Sequence, residues 1–389
     1  MCKYIKSIFF LCVFYSFQCF ANESENYQTQ IDNLVSEKIP GIILLVETPN
    51  SHFLGSAGLS NTKLDLPMLP DAVMPNGSAG KKLTSLLAAM LHDEGMLDLD
   101  ASITQYLPTE LLSKIPNSRK MTTRQLLNHT SGIFEYNDSQ DYAFFKAQFS
   151  HINELKTDIF PLSFAFNQPE NFKPSENWEY SNTGYALVGL ILERVLNQHP
   201  SKAARKKILD PLGLNSSYSK GVEEHKPDFI SGYFYNDGDT DFPSPVNEWF
   251  DTKNLMGNSA FSDAPLASSV KDIAKLLKSI VSENKIVKSS ARENIIGTKN
   301  LVEAWGNKFY QSSKLYYGLG IFVEKTNGVT IYHHGGTEFG YFTQNIYIPD
   351  GDISITAFAN CGVNDYCEER FQELTFKILD SFLGISKGI

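Results

Sequence analysis

Strand-forming runs cluster at the two ends of this chain, and that distribution narrows the folds open to it more than any other feature. Near the start, the stretch from Ile39 to Leu59 holds an apolar run (Ile42 to Val46), a Pro-Asn turn and a second run, which reads as a hairpin. Near the end, Tyr317 to Glu324, Val329 to His333, Phe342 to Pro349 and Ile353 to Asn360 read as strands. Asn327-Gly328 and Asp350-Gly351 fall between neighbouring runs, and such pairs supply the positive φ that tight hairpins need. Phe371, Leu374, Ile378 and Phe382 then share one face of a closing helix that stops at Gly384. Between the two strand-rich ends, about residues 98–308 are polar, punctuated by proline and mainly helical, with a loop-rich part from Tyr233 to Pro245. The economical architecture is α/β of the α+β kind: one antiparallel sheet drawn from both termini, flanked by helices, with a helical region inserted.

The first residues stand apart from that fold. Lys3 and Lys6 precede an apolar stretch from Ser7 to Phe20, and Cys19-Phe20-Ala21 offers a cleavage site. This is the layout of a secretory signal peptide over residues 1–21, leaving a catalytic unit from 22 to 389. The stretch falls short of the roughly 20 residues that span a bilayer, so no stable membrane anchor is expected after cleavage. Phe17 and Gln18 ahead of Cys19 do not supply the small residues of a lipoprotein signal. The chain is therefore expected to be secreted or periplasmic. Cleavage leaves two cysteines, Cys361 and Cys367, which an oxidising compartment allows to pair; the sequence leaves bridge and free thiols equally open. Net charge is -10 and no basic run occurs, which argues against a nucleic-acid partner because phosphate binding needs a positive face.

Three short segments carry candidate chemistry. Ser78-Ala79-Gly80-Lys81 opens a helix whose Leu83, Leu86, Leu87, Met90 and Leu91 lie on one face, with Gly95 as its stop. A serine hydroxyl needs a base beside it, and a lysine three residues on lies over the same face of a helix. Free N–H groups at the helix start can hold a developing oxyanion. The spacing alone has little weight, since Ser60/Lys63, Ser217/Lys220, Ser268/Lys271 and Ser282/Lys285 share it. Placement singles out Ser78: Gly77 before it, small residues after it, and a strongly amphipathic helix beyond. Tyr180-Ser181-Asn182 opens a second, very apolar helix (Tyr185 to Leu196). A phenol there can relay a proton and an amide can bind a carbonyl, although a buried tyrosine and a helix cap explain the pair equally well. His333-His334-Gly335-Gly336-Thr337 ends a strand, where glycines let a substrate backbone lie close and the Thr337 N–H can be a second oxyanion donor. Adjacent histidines on a strand point to opposite faces, and no Cys/His/Asp/Glu spacing completes a metal site, so neither metal nor organic cofactor is expected.

In that order, Ser78-x-x-Lys81, Tyr180-x-Asn182 and His334-x-Gly336 resemble the penicillin-recognising serine hydrolases. The nearest branch holds class C β-lactamases, D-alanyl-D-alanine carboxypeptidases and related esterases. Flanking text supports the likeness from about Ile39 to Leu383. It includes Glu94-Gly95-Met96-Leu97-Asp98-Leu99-Asp100, Gln125-Leu126-Leu127-Asn128-His129-Thr130-Ser131-Gly132 and Gly336-Thr337-Glu338-Phe339-Gly340-Tyr341. The resemblance implies a sheet packed between helices with the site at the sheet edge. It implies Ser78 as nucleophile, Lys81 as base and Tyr180 as proton shuttle, with Asn182, His334, Gly336 and Thr337 binding substrate. Reading His333 with Gly335 also satisfies the third motif. His129 and His92 are expected to be structural.

One departure bears on substrate. Class C β-lactamases carry Lys-Thr-Gly in the third motif, whereas Lys325-Thr326-Asn327-Gly328 is only a near miss in a hairpin turn. A histidine of ordinary pKa near 6.5 is mostly neutral where a lysine is charged. Attraction for a β-lactam or peptide carboxylate is therefore weaker, which shifts the expectation toward a peptidase or esterase acting on a small molecule or cell-wall peptide. The alternatives weighed are a non-catalytic cell-wall-peptide binder that kept the fold, and an α/β-hydrolase. The second is set aside because Asn76-Gly77-Ser78-Ala79-Gly80 lacks the first glycine of the nucleophile elbow.

Overall fold

The computed structural model describes residues 26–224, 228–236, 238, 244–363 and 365–384; the proposed leader, residues 1–21, lies outside them. A ten-stranded sheet forms the spine. Its strands are β1 (Gly41–Glu47), β2 (His52–Asn61), β3 (Leu66–Pro67), β4 (Val302–Glu303), β5 (Lys314–Tyr317), β6 (Phe322–Thr326), β7 (Val329–His333), β8 (Gly336–Glu338), β9 (Tyr341–Ile348) and β10 (Ile353–Ala359). The spatial order is β4-β5-β6-β7-β9-β10-β1-β2-β3, with β8 pairing β9. Strands from the two ends of the chain meet antiparallel at β1 and β10, with Leu44 opposite Ala357. The chain is thus a mixed α/β protein built on a large antiparallel sheet.

β1 reads Gly-Ile-Ile-Leu-Leu-Val-Glu without polar alternation because both of its faces are covered. Ile42, Leu44 and Val46 enter the core under helix α5 (Asp365–Leu383), together with Ile355, Phe371 and Ile378. Ile43 and Leu45 point the other way, into the larger core shared with α1 (Lys81–Asp93), α3 (Asn182–Leu196) and α4 (Val270–Val281). The period of two along a strand thereby feeds two separate helical layers.

The run from Tyr317 to Glu324, read as one strand, is divided between β5 and β6. Gly318-Leu319-Gly320-Ile321 turns the chain, Gly320 holds φ +73°, and the Gly318 N–H donates to the Ile321 carbonyl. Apolar composition concealed the turn, because Leu319 and Ile321 are buried inside it. Within the inserted region, short strands accompany the helices. Tyr233–Asn236 pairs Glu248–Asp251 in the part read as loop-rich, and Leu266–Ser268 is flanked by Met74–Pro75 and Tyr218–Ser219. The pairing with Met74–Pro75 ties the inserted region to the segment just before Ser78. Cys361 and Cys367 form a disulfide between the end of β10 and the first turn of α5. Among the described residues, no helix is long and apolar enough to cross a membrane.

Candidate active site

Ser78 sits in a 3-10 turn, Gly77–Gly80, that runs directly into α1. Gly77 has φ +52°, a conformation costly for any residue with a Cβ. A Cβ there would also lie 3.0 Å from the Thr337 nitrogen. On the facing side, a Cβ on Gly336 would fall 2.1 Å from the Asn76 carbonyl oxygen and 2.8 Å from the Ser78 nitrogen. The start of β8 and the serine turn are therefore pressed backbone to backbone, which brings the N–H groups of Ser78 and Thr337 to one place. Two backbone N–H groups close together beside a serine hydroxyl are the parts from which an oxyanion site is built.

The Lys81 side chain is completely buried, and its amine donates three hydrogen bonds: to Ser78 Oγ (3.1 Å), Asn182 Oδ1 (2.6 Å) and the Asp263 carbonyl (2.9 Å). The Asp263 carboxylate lies 3.8 Å away. Burial pulls the amine down from 10.5 to about 8, while Asp263, Glu135 and Glu338 favour its charged form. A lysine so placed exchanges its proton within the range where enzymes work.

Tyr180 lines the same cleft as Ser78. Its hydroxyl is buried and makes no well-formed hydrogen bond, although the Ser78 side chain approaches closely enough to act on its ionisation. Burial pushes the phenol well above 10, so the neutral phenol is the resting form. The ring is held by His129, whose centroid is 4.2 Å away and whose Nδ1 accepts the Ser181 N–H. Burial drives His129 well below 6.5, and with Nδ1 accepting, its proton sits on Nε2. Ser181 caps α3 by accepting from the Gly184 N–H, so the cap is Ser181 and the Asn182 side chain is left for Lys81.

The two histidines of the third motif part company. His333 ends β7, stacks on Phe322 and lies 3.5 Å from the Glu324 carboxylate. His334 turns toward Tyr180, with 6.1 Å between ring centroids. Both His334 nitrogens are occupied: Nδ1 lies 2.6 Å from the Gly335 carbonyl and must donate to it, which leaves Nε2 to accept from the Tyr317 hydroxyl at 3.0 Å. Burial holds this ring neutral. His334 thus forms part of the wall without offering a free donor. Gly336 presses on the serine turn, and exposed Thr337 presents its backbone beside it.

Three features have no signal in the sequence motifs. Glu135, buried on the segment after His129-Thr130-Ser131-Gly132, accepts from the Asn182 side-chain amide (2.9 Å), the Asn182 N–H (2.5 Å) and the Thr183 N–H (3.3 Å). Burial pushes its carboxyl up to about 7, opposed by those bonds from Asn182 and Thr183. Asp263 reaches Lys81 from the loop before the Leu266–Ser268 strand and accepts from the Tyr136 hydroxyl at 2.9 Å. A buried ion pair, Lys220 with Glu338, anchors the far end of β8. The cleft in front of Ser78 measures about 1030 Å³, enough for a peptide or drug-sized molecule. Phe309, Phe322, Phe342 and Phe376 form apolar parts of its lining. Among the described residues, no group of three or more His, Cys, Asp or Glu side chains is arranged to hold a metal ion.

A large antiparallel sheet between helical layers, with a Ser/Lys/Tyr cluster at its edge, defines a serine hydrolase of the β-lactamase and penicillin-binding type. The chain belongs to the Beta-lactamase family, whose match runs over residues 25–374. A penicillin-binding protein of Bacillus subtilis (strain 168) is 26% identical over 55% of this chain, which spans 46% of that protein's length. The lovastatin esterase of Penicillium rubens is 25% identical, with 69% of this chain and 70% of that one aligned. In structure, the chain resembles a D-stereospecific amidohydrolase from Streptomyces sp., with a TM-score of 0.75, 23% identity, and coverage of 93% and 99% of the two chains.

Proposed function

We propose that this chain is an exported hydrolase that works through an acyl-enzyme on Ser78, with Lys81 as the base. The observation that carries this reading is a fully buried lysine, lowered to about 8, donating directly to a half-exposed serine hydroxyl. Neutral Lys81 removes the hydroxyl proton as Ser78 Oγ bonds to the substrate carbonyl carbon. The N–H groups of Ser78 and Thr337 hold the oxyanion. Tyr180, neutral at rest, passes a proton to the leaving nitrogen or oxygen and is reprotonated through Lys81. Water then attacks the acyl-Ser78 ester, releasing the acid and restoring the serine proton. Asn182, held beside Lys81, binds the acyl side of the substrate, while His334, Gly336 and Thr337 form the edge along which it lies.

The substrate class we favour is an ester or a D-amino peptide whose binding does not depend on a carboxylate at the third motif, ahead of a β-lactam. A neutral His334 supplies none of the positive charge that a lysine would bring to the third motif. The names of the relatives and of the structural neighbour (a penicillin-binding protein, an esterase and an amidohydrolase) are compatible with either choice. Within this reading, the chain carries a cleaved leader, acts outside the cytoplasm on a small molecule or peptide, needs no cofactor, and has neither a nucleic-acid partner nor a lasting membrane anchor. The test is intact-protein mass spectrometry after exposure to p-nitrophenyl acetate and benzylpenicillin. It is followed by kcat/KM for an acyl-D-Ala-D-Ala peptide, a cephalosporin and a short-chain ester. A mass increment lost in Ser78→Ala is expected; turnover that survives Ser78→Ala would sink the proposal.

A further inference from the structure

Glu135 occupies a position that the acyl-enzyme scheme does not use, yet its contacts control a group that the scheme needs. The side-chain amide of Asn182 has two orientations that differ by exchange of oxygen and nitrogen. Only one of them presents oxygen to the Lys81 amine at 2.6 Å. Lys81 itself cannot enforce the choice once it has lost its proton, because a neutral amine can accept as well as donate. Glu135 can. One carboxylate oxygen takes the Asn182 side-chain NH₂ at 2.9 Å and, more weakly, the Asn137 N–H at 3.4 Å, and the other takes the backbone N–H groups of Asn182 and Thr183. Both oxygens face donors only, so an ionised carboxylate is the group that satisfies the site.

We propose that Glu135 is a positioning residue of the reaction: it clamps the Asn182 amide with its oxygen toward Lys81, and its negative charge helps hold the proton on that lysine. This rests on the acyl-enzyme reading above. Replacing the carboxylate by an amide has a definite structural consequence. In Glu135→Gln, if the glutamine oxygen stays on the two backbone N–H groups, its NH₂ meets the Asn182 NH₂ and the Asn182 amide must turn over, aiming its NH₂ at Lys81. If instead the glutamine oxygen stays on the Asn182 NH₂, its own NH₂ faces both backbone donors and those bonds are lost. The first arrangement leaves fewer opposed donors. It destabilises the lysine ammonium twice, by removing an acceptor and by removing a nearby negative charge.

The charged and titratable groups around the pair are few and act in known senses. Asp263, Glu135 and Glu338 favour charged Lys81, and Asp263 also disfavours charged Glu135. Tyr136, Tyr180 and His129 face the cluster in their neutral forms, with Tyr185 below the amine. Removing Glu135 leaves Asp263 and Glu338 in place, so Lys81 loses its proton at a lower pH without losing every counter-charge.

The experiment measures the pH dependence of kcat/KM for p-nitrophenyl acetate in wild type, Glu135→Gln and Glu135→Asp, with Ser78 acylation followed by mass in the same samples. In Glu135→Gln the acidic limb moves to lower pH, and kcat falls about ten- to a hundredfold, the loss of one hydrogen bond that orders a charged site. Glu135→Asp keeps the charge but shortens the reach, so its limb stays at the wild-type pH while kcat falls. A merely structural role would lower the active fraction and leave both limbs where they are. An unmoved limb in Glu135→Gln, whether or not kcat falls, overturns the proposal alone, provided wild type still acylates on Ser78. If Glu135→Gln fails to fold, a shifted limb in folded Glu135→Asp overturns it instead. Absence of label on wild-type Ser78 overturns the proposal together with the reading beneath it.

Discussion

Lys82, next to Lys81, should make the protein less stable than it would be without it. Its side chain is fully buried, and its amine donates to Asn345 Oδ1 at 2.9 Å. That amide is itself oriented by donating to Thr356, and no carboxylate among the described residues pairs with the lysine. Burial pulls Lys82 from 10.5 to about 7. The native protein thus holds this proton far more weakly than the unfolded chain does, a difference on the order of 5 kcal/mol. Between pH 7 and 10.5 the unfolded chain carries more protons here, so stability rises with pH across that window; below pH 7 the penalty is complete. Lys82→Met keeps most of the volume and removes the charge, but strands Asn345 Oδ1 at a cost of about 1–3 kcal/mol. The net gain at pH 7 is roughly 2–4 kcal/mol, or about 2–5 °C in Tm for a chain of 389 residues. Urea unfolding of both proteins at pH 7, 8.5 and 10 checks it. The methionine variant should lead at pH 7, and its lead should close by pH 10. A less stable variant at pH 7, or a gap that ignores pH, would refute the burial argument.

Other consequences are measurable with the same proteins. With neutral Lys81 as the proposed base, wild-type kcat/KM for an ester should climb with pH and level off above about 8, and Lys81→Met should abolish that limb. Gly336→Ala drives a Cβ into the Asn76 carbonyl and the Ser78 N–H. A displacement of about 1 Å at the oxyanion donors should cost on the order of 10²-fold in kcat/KM while the circular-dichroism spectrum stays native; full activity would show that β8 can yield. Lys220→Met strands the Glu338 carboxylate and should destabilise by about 3–5 kcal/mol in urea, with much of the loss recovered in Lys220→Met/Glu338→Gln. Equal instability of the single and double variants would contradict that reading.

Much of the scaffold was legible because it is written in local periods. β1 with β2 and β7 with β9 and β10 follow from apolar runs bounded by Pro, Asn-Gly and Asp-Gly. α1 and α5 follow from one-sided apolar spacing with Gly95 and Gly384 as stops, and α3 from an almost continuously apolar run. The turn at Gly318 to Ile321 was hidden for the converse reason: its residues are as apolar as the strands they join, so composition carries no mark of it. The Ser78 and Lys81 pairing was legible since three residues on a helical turn bring two side chains together whatever the rest of the chain does.

The inventory can be read from the amino-acid order alone: strands at both ends, helices between, and three short motifs in a fixed order. Which groups meet was decided by tertiary structure. Glu135 reaches Asn182 across 47 residues and Lys81 reaches Asp263 across 182, and such separations leave no periodic trace to read. The turn of His334 toward Tyr180, the pairing of Cys361 with Cys367, and the press of Gly336 on Ser78 likewise depend on how distant segments pack. Burial then does what composition cannot: by excluding water it moves Lys81 to about 8 and Glu135 to about 7, which turns ordinary side chains into a site able to exchange protons.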